Sequence, residues 1–180
     1  MAEPAVSRAR GPAYDGGMNG RVEALWLKPV RRQPMKSVQR MTLVASRGIV
    51  GNADQNGRRQ VTIISLENWR ATEQRLGIAI DPAVRRANIM ISGIDLANTR
   101  GKQLRIADGL VDIWGETRPC TLMDAAHDGL QEALRPEWSG GVFGVILEGG
   151  DIGIGDAVEL LPEPADSALR AALQRADRTP

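Results

Sequence analysis

Beyond residue 20 the chain breaks into short apolar runs separated by glycine and polar clusters, and the length of those runs predicts strands. Residues 21–27, rich in Val, Ala, Leu and Trp, open the set. Residues 41–45 and 60–64 are short and β-branched, and 88–92 follow a brief helix start at Asp81-Pro82. Residues 103–106 and 110–114 flank Ala107-Asp108-Gly109, a hairpin signal, and 142–147 and 157–161 close the series. Gly149, Gly150, Gly153 and Gly155 mark sharp turns or bulges between the last runs. Many short strands at close spacing, with few long helices, predict a mainly β fold: a closed or nearly closed barrel in a single domain.

Three segments carry a helical period instead. Residues 66–76 place Leu66, Trp69 and Leu76 on one face, with Ser65 as N-cap and Gly77 as the stop. Residues 120–134 carry a stripe of Leu122, Met123, Ala126, Leu130 and Leu134, which reads as core, and Gly129 weakens that helix or divides it. Residues 166–176 offer Leu169, Ala172, Leu173 and Ala176 to the barrel or to a partner chain. Residues 1–20 have no period and read as a flexible tail. The expected organisation is therefore a tail over 1–20, a barrel domain over 21–162 and a C-terminal helix over 163–180.

Composition narrows the function classes. A hydrophobic share of 42% over 180 residues supports one well-packed domain. A net charge of +1 gives no reason to expect nucleic acid or a membrane surface as partner. No run approaches the roughly 18 apolar residues of a membrane span, and residues 1–20 lack the apolar core of a secretory signal. The expectation is a soluble, cytoplasmic protein of a reducing compartment. One cysteine excludes an internal disulfide, a CxxC redox pair and a multi-cysteine zinc site, and one histidine excludes a His-pair site.

That cysteine, Cys120, ends the run Gly115-Glu116-Thr117-Arg118-Pro119-Cys120. Pro119 predicts a turn opening a helix, with the thiol in its first turn beside the Arg118 guanidinium. Both features favour the thiolate, the form that attacks sulfur, carries sulfur or binds a soft metal. The plainer alternative is a small buried hydrophobe. His127 lies two helical turns on, about 10 Å along the axis, too far for a Cys–His dyad.

Other candidates surround anion chemistry. Residues 48–61 form a polar loop leading into a strand; Asn52, Asp54 and Asn56 alternate as in a calcium loop, but the closing Glu is missing and Arg58-Arg59 stand in its place. Those arginines either grip an anion or belong to a solvated connection, the plainer reading of the loop alone. Arg85, Arg86 and Asn88 precede a strand; Arg grips phosphate bidentately and Asn reads a heterocycle edge.

Taken in order, several elements resemble the MOSC domain, the module named for the C-terminal part of molybdenum cofactor sulfurases. They are Lys28-Pro29, Gly48-x-x-Gly51, Arg58-Arg59-Gln60-Val61, Arg86-x-Asn88-Ile89, Gly115-Glu116-Thr117-Arg118-Pro119-Cys120, Leu134-Arg135-Pro136, Gly140-Gly141-Val142 and Gly153-x-Gly155-Asp156. The resemblance, to a stand-alone member, implies a barrel-based β fold and a role tied to sulfur or molybdenum. It makes Cys120 the molybdenum ligand of a pterin cofactor or a persulfide carrier. It places Arg58, Arg59, Arg86, Asn88, Thr117 and Arg118 around the cofactor. Two departures stand out: the commoner Gly-Asp-x-His is here Gly51-Asn52-Ala53-Asp54, without the imidazole, and Ser139 occupies a position where a basic residue is expected.

Three functions follow from the resemblance. The first is a molybdenum-dependent reductase of N-hydroxylated compounds, fed by an electron-transfer protein because no flavin, haem or iron–sulfur module is evident. The second is a sulfurtransferase whose Cys120 takes sulfur from a desulfurase. Pyridoxal phosphate binding is a family-level association only, since no domain for that cofactor is evident in the chain. The third is a binding module without chemistry. Monomer and homodimer both remain open.

Overall fold

The computed structural model describes residues 19–53 and 55–162. Eleven strands run in chain order: β1 Asn19–Leu27, β2 Lys36–Val38, β3 Arg40–Val44, β4 Gly48–Ile49, β5 Val61–Ser65, β6 Ile89–Ser92, β7 Gln103–Ile106, β8 Gly109–Glu116, β9 Val142–Glu148, β10 Gly150–Gly153 and β11 Ala157–Leu161. Two α-helices interrupt them, α1 Leu66–Leu76 and the short α2 Leu130–Ala133.

The sheet order β11-β7-β8-β9-β5-β6-β1 closes on itself, because β11 also pairs with β1. The result is a seven-stranded barrel, and closure leaves those strands without a long open edge. β1 makes this possible by dividing one edge between two partners. Residues 19–21 pair with β11 and residues 25–27 with β2, while a register shift between Val22 and Ala24 lets the other edge follow β6. Every pairing is antiparallel except β5 with β6, which α1 connects as a crossover. A second small sheet, β10-β3-β4, packs against the barrel.

The barrel interior is aliphatic. Fourteen of its nineteen buried side chains are Val or Ile, the residues whose branched Cβ suits a pleated surface. A second core lies under α1, where Trp26, Ile64, Trp69, Met90, Met123, Leu130 and Leu134 meet. The predicted helix over 66–76 forms with the expected ends. Ser65, in extended conformation, accepts a hydrogen bond from the Asn68 N–H, and Gly77 takes a left-handed φ of 70°. Trp69 is buried, and its indole donates to the Ile80 carbonyl at 3.1 Å.

Two parts of the pattern were read differently by the fold. β2, β4 and β10 are only two to four residues long, and β2 is largely exposed, so none leaves a periodic apolar signature. The continuous helix expected over 120–134 does not form. Residues 121–129 wind through separate turns: Met123 N–H bonds the Cys120 carbonyl and His127 N–H the Met123 carbonyl. Gly129 then adopts a φ of 79°, which redirects the chain before α2. Of the expected stripe, Met123, Leu130 and Leu134 reach the second core, whereas Leu122 and Ala126 face outward. The helix expected over 166–176, most of the tail and Asp54 lie outside the described residues.

Candidate functional site

Five stretches of chain converge on one cavity of about 160 Å³. Lys28 comes from the end of β1; Asn52, Arg59 and Thr62 from the loop before β5 and its first turn of strand; Arg85, Arg86 and Asn88 from the segment entering β6. Thr117, Cys120, Leu122 and Met123 follow β8, and Gly140 precedes β9. Four cations line this space, and no carboxylate does among the described residues.

Its wall is fixed by Asn88. The side-chain oxygen accepts from Thr62 N–H at 3.2 Å and Thr62 Oγ1 at 3.0 Å, while Nδ2 donates to the Trp26 carbonyl at 3.2 Å and Asn52 Oδ1 at 3.3 Å. One amide thus ties β5, β1 and the 50–60 loop to the start of β6, with all four of its hydrogen-bonding positions engaged. Asn52, buried, also accepts from the Lys28 N–H at 2.8 Å. An Asp at that position could accept the same two bonds. The amide does so without placing negative charge in the wall, which suits an anion-attracting cavity.

Arg85 forms the floor. It is buried, its Nε donates to the Gly140 carbonyl at 2.9 Å and its terminal nitrogen to the Thr117 carbonyl at 2.8 Å. No carboxylate neutralises it among the described residues. Burial lowers its pKa to about 10; proximity of Cys120 opposes that shift and Arg59 adds to it. The guanidinium therefore keeps its charge at neutral pH. A buried cation without a fixed counterion favours an anion beside it.

The remaining candidates separate. Arg59 lines the cavity with its guanidinium 5.0 Å from the Phe143 ring centre, and adjacent Arg58 turns away over Trp114 at 5.3 Å. Arg86 holds a left-handed φ of 62° and donates to the Gln33 carbonyl at 2.7 Å while lining the cavity mouth. Thr117 is buried in the lining and its Oγ1 has no hydrogen-bond partner among the described residues. Arg118 is exposed, lies 3.6 Å from Glu116 and does not line the cavity. Cys120 is exposed, so it is not the small buried hydrophobe that the sequence left open. No helix begins at Cys120, so the charge beside its thiol is that of Arg85 rather than a helix dipole. His127 has Nδ1 2.7 Å from the Asp128 carbonyl and takes no part in the cavity.

The structure thus brings Arg59, Arg86, Asn88, Thr117 and Cys120 together and leaves Arg58 and Arg118 outside. It adds Lys28 and Asn52, and it brings in Arg85, which the sequence nominated as an anion-gripping residue but the family resemblance did not place around the cofactor. Residue type and the position before a strand nominated Arg85 and Arg86 alike, and nothing in the sequence separated the buried guanidinium from its half-exposed neighbour.

Comparison with known proteins agrees with this architecture. The barrel is similar to the YuaD protein of Bacillus subtilis, with a TM-score of 0.67 and 19% identity, over 81% of this chain and 97% of that one. It is also similar to YiiM from Escherichia coli (TM-score 0.59, 16% identity, 89% of this chain and 79% of that one). YiiM from Geobacillus stearothermophilus gives a TM-score of 0.63 at 15% identity, over 82% of this chain and 78% of that one. At such identities the likeness establishes the fold alone. No match is found among curated proteins. The family model of the MOSC domain matches residues 41–159, most of the barrel and every cavity residue but Lys28, and the chain belongs to the MOSC domain family.

Proposed function

We propose that this chain binds an anionic molybdenum–pterin cofactor at the cavity and acts as a reductase of N-hydroxylated compounds. One observation carries the reading: a single exposed thiol sits at a cavity lined, among the described residues, by four cations and no carboxylate. The residues fit such a group. Cys120 supplies one soft ligand, and no cluster of three or more His, Cys, Asp or Glu among the described residues could hold a metal. A metal bound here must therefore bring its other ligands with it, as a pterin dithiolene does. The buried, unpartnered Thr117 hydroxyl offers a donor to an anionic oxygen.

When bound, the cofactor would supply two-electron redox chemistry at the metal, the part no side chain can perform. The protein's share is ligation and orientation. Cys120 would ligate the metal, Arg59, Arg86 and Lys28 would neutralise the cofactor's negative charge, and Arg85 would hold the Thr117 and Gly140 carbonyls that shape the floor. Overall, a hydroxylamine plus two electrons and two protons gives an amine and water, with the N–O bond broken. An electron-transfer protein must supply the electrons.

Molybdenum analysis tests the reading on protein made in a host with the molybdopterin pathway, wild type beside Cys120→Ser. Near-stoichiometric metal in the wild type and its loss in the variant are expected; no metal in either overturns the reading. Retention by Cys120→Ser would leave a binding module in which the thiol has no role.

A second reading rests on the exposure of Cys120, which a macromolecular donor can reach. As a sulfur carrier, the thiol would take sulfane sulfur from a desulfurase persulfide, leaving the donor thiol reduced and Cys120 as persulfide. Intact mass after incubation with a cysteine desulfurase and cysteine tests it. A gain of one sulfur on wild type alone is the expected result.

A further inference from the structure

Thr117 is only 5% exposed, and its backbone is engaged on both sides: the N–H donates to the Gly141 carbonyl at 2.8 Å, and the carbonyl accepts from Arg85 at 2.8 Å. The hydroxyl is the one polar group of the residue left over. It lies in a residue of the cavity lining and has no partner among the described residues. Burying a hydroxyl in that state is unfavourable unless a ligand completes it.

Arg85 is incomplete as well. Its Nε and one terminal nitrogen bond the Gly140 and Thr117 carbonyls, and the other terminal nitrogen has no acceptor among the described residues. Arg59 lines the same cavity close enough to push against that charge, and Cys120 lies close enough to relieve it. Neither guanidinium is held in an ion pair among the described residues. Two cations at one cavity with no carboxylate between them favour an anion there. Leu122 and Met123, next after Cys120 in the chain but one, give the lining apolar surface as well.

A ligand matched to this site has two ends. One is an oxyanion that takes the Thr117 hydroxyl and the guanidinium N–H groups. The other is a soft electrophilic atom that meets the Cys120 thiolate among apolar side chains. A sulfonate bearing a sulfane sulfur carries both in one small ion. We propose that Cys120 takes sulfane sulfur from thiosulfate, with Thr117, Arg85 and Arg59 holding the sulfonate end. The thiolate attacks the outer sulfur, a bond forms from Cys120 Sγ to that sulfur, and the sulfur–sulfur bond of thiosulfate breaks with its electron pair leaving on sulfite. Cys120 becomes a persulfide anion, and the step consumes neither a proton nor an external electron. Negative charge grows on the departing sulfite, where the hydroxyl and guanidiniums stand, so their bonds strengthen as the reaction proceeds. An acceptor thiolate then removes the outer sulfur and restores Cys120. The use of Cys120 as carrier rests on the sulfur-carrier reading above; the oxyanion subsite rests on Thr117 and Arg85.

Intact mass and sulfite release test this on the full chain, made in a host without the molybdopterin pathway and treated with thiosulfate. Wild type should gain one sulfur and release an equal amount of sulfite, and Cys120→Ser should do neither. Alkylation by neutral iodoacetamide measures the thiol by itself. In Thr117→Val the rate with thiosulfate should fall about tenfold while alkylation stays within about twofold of wild type. Sulfate added at constant ionic strength should slow the thiosulfate reaction and leave alkylation unchanged. No sulfur gain from thiosulfate, or a gain that neither Thr117→Val nor sulfate slows, overturns the proposal. Loading by a cysteine desulfurase without loading by thiosulfate overturns it and leaves the sulfur-carrier reading standing; loading by neither removes both.

Discussion

Replacing Gly140 with Ala would test whether the cavity floor is as tightly built as its hydrogen bonds indicate. A Cβ on Gly140 would lie 2.4 Å from the Thr117 carbonyl oxygen, 3.2 Å from an Arg85 terminal nitrogen and 3.3 Å from Pro119 Cδ. The first contact is with backbone and cannot be relieved by a rotamer change. Either the Thr117 strand end or the Gly140 loop must retreat by at least about 0.5 Å, and overpacking of that kind costs about 1–3 kcal/mol. The same movement pulls the Thr117 carbonyl away from the 2.8 Å bond that Arg85 donates to it. Weakening a hydrogen bond from a buried charge adds about 1.5–3 kcal/mol at most. The combined loss should be about 2–4 kcal/mol, read as a lower urea midpoint at unchanged slope, or about 5–15 °C in Tm. Displacement of Pro119 should carry Cys120 with it, so molybdenum loading in a competent host should fall as well. A stability loss below about 0.5 kcal/mol with full metal loading would refute the argument, since it would mean the floor yields freely.

Thr117→Val should separate stability from binding: it removes a buried hydroxyl without a partner, so urea stability should hold or rise by about 1 kcal/mol while cofactor retention falls. Trp69→Ala should cost about 3–5 kcal/mol in chemical denaturation, because it empties the core under α1 and orphans the Ile80 carbonyl. Acid stability should depend on two carboxylates. The Ser92 hydroxyl, with Arg21, holds Glu23 below its ordinary value of 4.5. Burial raises Glu67, but bonds from the Gly93 N–H and the Ser65 hydroxyl outweigh it and leave it lowered. Groups depressed in the folded state stabilise it fully above the unfolded value of 4.5, and the contribution is lost as pH falls through the lower folded values. Urea midpoints measured from pH 7 down to pH 3 should therefore fall less steeply in Glu23→Gln and Glu67→Gln than in wild type; parallel curves would contradict this assignment.

Some of this protein was decided by local sequence. The 66–76 helix needed only Ser65, an amphipathic stretch and Gly77, because caps and period act within a few residues. The strands over 103–106 and 157–161 were legible with their observed bounds, since alternation and turn residues are also local. Cys120 stood out because it has no competitor. Barrel closure was a different matter. It depends on β1 giving part of one edge to β11, a contact separated by most of the chain, and no local pattern encodes such a pairing. The run after Cys120 misled for a related reason: Met123, Leu130 and Leu134 have helical spacing, yet the second core can be reached from successive turns with Gly129 redirecting the chain. The site divided along the same line. Sequence could nominate Arg58, Arg59, Arg85, Arg86 and Arg118 by residue type, but a guanidinium costs much the same to write anywhere in a chain. Only packing decided that Arg85 is buried against two carbonyls, that Arg59 reaches the cavity over Phe143, and that Arg58 and Arg118 turn outside it, because burial and charge environment are properties of the assembled fold.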